Sequence, residues 1–175
     1  MNRVMNTICN DPYIYTIDNF LTEKECKFII KVSKDNLKLA GVSKMEGEEG
    51  LEIGKYKGRT NKSYWMAHDA YPETLKIAKR IAEKIGCNYK HFESFQVIHY
   101  DENEEYKYHF DAYDMNETEK YKKYCNERGN RVRTVLVYLN DVEEGGGTGF
   151  DTLNEYEGEI IVEPKMGKMV VFTNV

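Results

Sequence analysis

The chain lacks several features that would place a protein in a functional class at once. Its formal net charge is -5, and no long basic tract is present, which argues against nucleic-acid binding. No apolar run is long enough to span a bilayer, so we expect no membrane-embedded segment. The N-terminal sequence MNRVMNTICNDPY has a single Arg and no apolar stretch, so it does not predict a signal peptide.

Cysteine is sparse, and its spacing is uninformative. Cys9, Cys26, Cys87 and Cys125 form no CxxC pair, which argues against a zinc knuckle or a redox pair. Without a secretory signal, we expect reduced thiols and a cytoplasmic location. The chain also has no repeat and no linker rich in Pro, Gly or Ser. Its 175 residues, 41% of them hydrophobic, therefore predict one globular domain over 1–175.

Helical signals dominate the N-terminal part, after a first strand predicted at residues 13–17. Thr22 can cap a helix, with Glu25 at the reciprocal position of a capping box. A second helix is predicted between Pro72, which suits a first turn, and Gly86, a natural stop. Its apolar residues recur at steps of three and four: Leu75, Ala78, Ile81, Ala82 and Ile85. We expect both helices to cover the core.

Residues 41–58, between the two helices, are rich in Gly, Glu and Lys and predict a mobile loop. Such a loop is either a solvated connection or a lid over a site, and the sequence does not choose between them.

The hydrophobic period changes to two from Glu93 onward. Strands are predicted at residues 95–100, 106–111, 131–139, 157–162 and 168–173. Turn residues separate them, among them Asn140, Asp141 and the run of glycines at 145–147. Short strands after helices indicate an α+β domain with a sandwich or jelly roll.

His109 and Asp111 are the residues in this β-rich part that carry recognisable chemistry. Residues two apart on a strand point to the same face, so their imidazole and carboxylate are expected to converge. Together they would supply two ligands of a facial 2-His-1-carboxylate iron site. A lone HxD is a weak signal, because it is more often a surface pair.

The surrounding motifs resemble the prolyl 4-hydroxylase family of iron and 2-oxoglutarate dioxygenases from about Phe20 to the end. In chain order they are FLTEKEC at 20–26, RTN at 59–61, ESFQVIHY at 93–100, YKYHFD at 106–111, GNRVRT at 129–134, YLNDV at 138–142, GGGTGF at 145–150 and PKMGKMVVF at 164–172. The resemblance implies a double-stranded β-helix, or jelly roll, with N-terminal supporting helices.

The resemblance also implies residue roles. His109 and Asp111 would bind Fe(II), while Tyr100 and Thr148 would hydrogen-bond 2-oxoglutarate, with Tyr138 a further candidate. Arg131 matches an arginine near the peptide groove, although a surface salt bridge would explain it nearly as well. Core packing is the alternative for the two tyrosines. The implied reaction hydroxylates a peptidyl residue, with proline favoured, releases succinate and CO2, and uses ascorbate as reductant.

The chain departs from the family at its end. Its histidines are His68, His91, His99 and His109, and none follows Gly167, where the family places the distal iron ligand and then a basic residue for 2-oxoglutarate. We expect that the chain is a truncation of a longer enzyme whose jelly roll lacks its last strands here. Alone, it is expected to bind iron weakly and to turn over poorly.

Three functions remain open. The first is a hydroxylase acting on a proline-containing peptide or protein. The second is a catalytically inactive jelly-roll binding module that keeps the fold and lacks the third iron ligand. The third is another metal-dependent barrel such as a cupin, against which the GGGTGF and YLNDV segments argue. The sequence identifies neither the substrate nor the oligomeric state.

Overall fold

The computed structural model describes residues 4–41, 58–125, 127, 129–151 and 158–174. The chain divides into two compact units. The first unit comprises Met1–Lys27 and Tyr108–Val175, and the second comprises Phe28–Lys107. The expected single domain over 1–175 stays a prediction, and residues 42–57 of the expected mobile loop lie outside the described residues.

Nine strands and three α-helices follow one another among the described residues. They are β1 (Met5–Asn10), β2 (Tyr13–Ile17), α1 (Glu23–Ser33), β3 (Lys38–Leu39), β4 (Lys62–Met66), α2 (Pro72–Ile85), β5 (Phe95–His99), α3 (Thr118–Cys125), β6 (Arg133–Val137), β7 (Thr148–Phe150), β8 (Ile160–Val162) and β9 (Met169–Thr173). Single 3-10 turns lie at Lys34–Asn36 and Tyr89–His91. Within the described ranges, no helix is long and apolar enough to cross a membrane. The cytoplasmic location stays a prediction.

The first unit is built from two antiparallel sheets. Four strands form one sheet in the order β1-β2-β9-β6, and β7 pairs with β8 in the other. The apolar strand β9 is one of the two inner strands of the larger sheet, and its residues Met169, Val170 and Val171 are fully buried. Phe150 of the small sheet meets Phe172 of the large one edge to face, with ring centroids 5.1 Å apart. Such side chains from two facing sheets make a sandwich core.

The second unit contains α2 and the antiparallel sheet β3-β4-β5. Helix α2 begins at Pro72, as predicted, and buries Ala78, Ile81 and Ala82 of the predicted apolar stripe. Leu75 and Ile85 of that stripe are half-buried, and Ile77, which was not predicted, is buried with it. Gly86 ends it in a left-handed conformation with φ 71°, which glycine adopts without a Cβ penalty. The predicted helix boundaries are therefore confirmed.

The capping box predicted for α1 is also present. The backbone N–H of Thr22 donates to Glu25 Oε2 at 2.8 Å, and the N–H of Glu25 donates to Thr22 Oγ1 at 3.3 Å. This reciprocal pair satisfies donors that the first helical turn leaves without an intrahelical partner.

The strand predicted at residues 106–111 is wrong. Among the residues that the structure describes, only Tyr106 of this segment makes a β-bridge, to Arg59, and the residues after it are irregular. The charged neighbours Glu104 and Glu105 precede a segment that finds no partner strand among the described residues. Helix α3, with the lysine-rich sequence TEKYKKYC, was not predicted. Helix propensity favours these side chains even without a broad apolar face.

Candidate metal centre

His109 and Asp111 come together although their segment is not a strand. Nε2 of His109 lies 3.3 Å from Oδ1 of Asp111. The other carboxylate oxygen, Oδ2, accepts a hydrogen bond from the Thr134 hydroxyl on β6 at 2.5 Å. Thr134 thus orients the carboxylate from β6 through Oδ2, while Oδ1 faces the His109 imidazole.

The charge state of Asp111 suits a metal ligand. Burial raises the pKa of its carboxyl, but hydrogen bonds from His109 and Thr134 outweigh burial, so the pKa lies below its ordinary value. The carboxylate is therefore ionised at neutral pH. An imidazole nitrogen beside a carboxylate oxygen is a donor set that fits Fe(II). In the described part of the chain, no group of three His, Cys, Asp or Glu residues comes together as a metal site.

A second His-x-Asp pair in the second unit provides a comparison. Nε2 of His99 lies 3.0 Å from Oδ1 of Asp101, but the Lys62 ammonium binds Oδ2 of Asp101 at 2.6 Å. The hydrogen bond from Lys62, followed by that from His99, lowers the pKa of Asp101. Asp101 already has a cation on its second oxygen, whereas Asp111 has a neutral hydroxyl there. The surroundings therefore favour His109 and Asp111 over His99 and Asp101 as the metal pair.

Arg131 lies beside this site. Its guanidinium is 5.0 Å from the centre of the Tyr113 ring, and Nη1 donates to the main-chain oxygen of Asp111 at 3.4 Å. These contacts hold the chain on both sides of Ala112. The expected substrate-binding role of Arg131 stays a prediction beside this positional one.

Tyr138 and Thr148, both expected at 2-oxoglutarate, share a hydrogen bond. Their hydroxyl oxygens lie 2.6 Å apart, and Tyr138 Oη also lies 2.9 Å from the carbonyl oxygen of Val162, to which it donates. Burial raises the pKa of Tyr138, although the hydrogen bond to Thr148 lowers it, so the phenol stays protonated at neutral pH. Each hydroxyl carries one proton. Because Tyr138 donates its proton to the carbonyl oxygen of Val162, Thr148 must donate its own hydroxyl proton to Tyr138 Oη.

Tyr100 follows β5 in the second unit. Burial raises its pKa above the ordinary value, and the positive charge of Arg59 opposes that rise. Arg59 is itself 7% exposed and donates to Asn61 and to the carbonyl oxygen of Gly41. Tyr100 is thus a protonated phenol near a buried cation, and its role at 2-oxoglutarate stays a prediction.

The residue that sequence reasoning missed is Thr134. The signal was present, since Thr134 ends the GNRVRT motif at 129–134, but the motif was used only to identify the family and to assign Arg131. Its hydroxyl contact depends on how β6 lies beside the irregular chain at Asp111. Spacing along the sequence does not contain that information.

In the metal-free protein, Thr134→Val is expected to raise the pKa of Asp111 towards its ordinary value, because it removes a hydrogen bond to the ionised form. A carboxyl group whose pKa is lower in the folded than in the unfolded protein stabilises the fold at any pH above its unfolded-state pKa. This stabilisation is lost as the pH falls through the folded-state pKa. The substitution should therefore cost about 1–2 kcal/mol near neutral pH and less in acid. NMR titration of the Asp111 carboxyl carbon measures the change in pKa, and urea unfolding at neutral and at acidic pH measures the loss of stability. An Asp111 titration that is the same in Thr134→Val as in the parent contradicts the prediction.

Comparisons with known proteins identify the relatives of the chain. Residues 95–175 match the model of the 2OG-Fe(II) oxygenase superfamily. Probable prolyl 4-hydroxylase 10 of Arabidopsis thaliana is 31% identical over 184 residues, covering 97% of this chain and 61% of that protein. Probable prolyl 4-hydroxylase 3 of the same plant is 31% identical over 82% of this chain. The chain spans 47% of that second relative's length.

Solved structures agree on the fold. The viral collagen prolyl hydroxylase of Paramecium Bursaria Chlorella virus-1, in its 2OG complex, superposes with a TM-score of 0.62 at 26% identity, covering 95% of this chain and 80% of that one. A Pseudomonas putida prolyl-4-hydroxylase gives a TM-score of 0.61 at 18% identity over 91% of this chain and 80% of that one, which bears on fold alone. The predicted α+β jelly-roll class is confirmed.

Proposed function

The chain belongs to the prolyl 4-hydroxylase family of 2OG-Fe(II) oxygenases, and from this premise we propose that its full-length gene product hydroxylates a peptidyl proline at C4. The co-substrates are dioxygen and 2-oxoglutarate, and the co-products are succinate and CO2. The observation that carries the proposal is the geometry of the Asp111 carboxylate, whose Oδ2 accepts a hydrogen bond from Thr134 while Oδ1 lies 3.3 Å from His109 Nε2.

Each side chain at the proposed iron site has a separate role. His109 and Asp111 would hold Fe(II), which when bound supplies the redox chemistry that lets dioxygen and 2-oxoglutarate oxidise an unactivated C–H bond. Thr134 keeps the Asp111 carboxylate in one orientation. Ascorbate would serve as the reductant.

Tyr100 and Thr148 are the proposed 2-oxoglutarate donors, and Tyr138 is proposed to support Thr148. Because 2-oxoglutarate is a dianion, it needs O–H or N–H groups aimed at its carboxylates. Thr148 can donate to a carboxylate once Tyr138 turns its proton from Val162 to Thr148 across their 2.6 Å contact. Tyr138 would then support Thr148 rather than contact the ligand itself.

The substrate is proposed to be a proline-containing peptide or protein. Phe110, between the two metal-binding residues, is 79% exposed, and Tyr108 and Val132 are 60% and 74% exposed. These apolar side chains near Asp111 and Arg131 suit a proline ring better than a charged side chain. No role for nucleic acid or a membrane is proposed.

The test measures succinate and peptide mass together. The full-length gene product would be incubated with Fe(II), 2-oxoglutarate, ascorbate and a proline-rich peptide, with a peptide in which alanine replaces proline as the control. We expect succinate that depends on the proline peptide and a matching gain of one oxygen atom. Iron binding without succinate above background would reject the proposal and favour the non-catalytic binding module.

A further inference from the structure

Asn130 makes an unusual set of contacts just before β6. Its side-chain Oδ1 accepts from the backbone N–H of Tyr113 at 2.9 Å, and its Nδ2 donates to the carbonyl oxygen of Tyr113 at 2.8 Å. Two such bonds to one residue match the exchange between directly opposed residues of antiparallel strands. A side chain here takes the place that a neighbouring strand would occupy in a sheet.

The amide orientation follows from its neighbours. Oδ1 also accepts from the backbone N–H of Arg131 at 2.9 Å and lies 3.7 Å from Sγ of Cys125 at the end of α3. A flipped amide would point its NH2 group at two N–H donors, so only one orientation satisfies the contacts. Asn130 therefore joins three places: the end of α3, the start of β6 and the chain two residues after Asp111.

We propose that Asn130 is a positioning residue for the Asp111 carboxylate. Thr134 orients Oδ2 from β6, so the orientation depends on the distance between β6 and the chain at Asp111. Asn130 sets that distance through Tyr113, and Arg131 adds a bond to the main-chain oxygen of Asp111. The inference rests on the proposed function only in taking Asp111 as a metal ligand.

A general effect on folding is the competing explanation, and a double-mutant cycle separates the two. If Asn130 acts through the Thr134–Asp111 contact, Asn130→Ala and Thr134→Val affect metal affinity through the same atoms, and their combined effect is smaller than the product of the single effects. Independent structural losses would multiply. Asn88→Ala is the matched control, because Asn88 accepts one local hydrogen bond from the Lys90 N–H at 3.0 Å in the second unit.

The experiment titrates Co(II), a non-oxidising probe for Fe(II), into the full-length gene product and records the NMR shift of the Asp111 carboxyl carbon in metal-free protein. Asn130→Ala and Thr134→Val should each weaken Co(II) binding about tenfold, with little further loss in the double variant. Asn130→Ala should also move the Asp111 shift, and Asn88→Ala should change neither readout.

Several results would overturn the proposal. The first is an Asn130→Ala protein whose Co(II) affinity and Asp111 chemical shift equal those of the unsubstituted protein. The second is a double variant whose loss of Co(II) affinity equals the product of the two single losses. If Asn130→Ala does not fold, Asn130→Asp replaces it. That variant keeps the acceptor but opposes the Tyr113 carbonyl, so we expect weaker binding despite its added negative charge, and tighter binding would reject the idea. A parent that binds Co(II) but forms no succinate refutes only the proposed function. If the unsubstituted protein binds no Co(II), the chemical shift of the Asp111 carboxyl carbon in Asn130→Ala tests the proposal instead.

Discussion

Asp111→Asn is expected to lower 2-oxoglutarate turnover by the full-length gene product at least about a hundredfold, because replacing a ligand should cost more than the 10- to 100-fold typical of changes around the ligands. The amide keeps the shape of the side chain but loses its charge. It can still contact the Thr134 hydroxyl and the His109 imidazole, so the fold should survive. Turnover is measured as succinate released at saturating 2-oxoglutarate, with Co(II) affinity recorded in parallel.

Asp101→Asn is the matched control. It makes the same substitution in the other His-x-Asp pair, where His99 and Lys62 contact the carboxylate. Asp101 is 53% exposed and its ion pairs are on the surface, so the loss of stability should be small and turnover should stay within about twofold. Equal losses in the two variants, or a loss only in Asp101→Asn, would show that His109 and Asp111 are not the metal pair.

The confirmed parts of the fold are those whose signals are local. The Thr22–Glu25 capping box, Pro72 and Gly86 each act through a neighbour within about one helical turn, so the sequence contains the whole interaction. Strands β6 and β9 were also predictable, because both are apolar and rich in valine.

The parts that sequence reasoning missed depend on distant partners. Strand β4 carries the mixed sequence KSYWM and is a strand because it pairs with β5, where Tyr64 faces Val97. Strand β1 similarly pairs with β2 across a turn. Residues 106–111 had the right residue types for a strand, but within the described part of the chain only Tyr106 forms a β-bridge. Pairing across the chain outweighed propensity in each case.

The candidate site shows the same division. The approach of His109 and Asp111 was expected, and Nε2 and Oδ1 lie 3.3 Å apart, while their role as metal ligands stays a prediction. The reason given for it, two residues on one strand face, was wrong. The orienting contacts come instead from Thr134 and Asn130, which reach the segment from more than 15 residues away. Such contacts require the fold.

Gly167→Ala is expected to destabilise the first unit by about 3 kcal/mol or more, the largest stability effect that we predict. Gly167 has φ 78°, and a left-handed conformation costs a residue with a Cβ about 1–2 kcal/mol. An added Cβ would also overlap the main-chain oxygen of Leu21. The Gly167 carbonyl accepts from Phe20 N–H at 2.7 Å and Leu21 N–H at 3.1 Å, and weakening each bond costs about 1 kcal/mol.

Gly145→Ala separates the close approach from the backbone conformation. Gly145 lies in the same unit and has φ 71°, but an added Cβ there meets nothing within 4 Å. It should therefore lose only the left-handed penalty of about 1–2 kcal/mol. Urea unfolding of both variants measures the difference, which we expect to be at least about 1 kcal/mol. If the two substitutions cost the same, the contact between Gly167 and Leu21 does not limit the residue at position 167. A Gly167→Ala protein that fails to fold while Gly145→Ala folds agrees with the expected order, because the overlap involves main-chain atoms that no side-chain rotation can move.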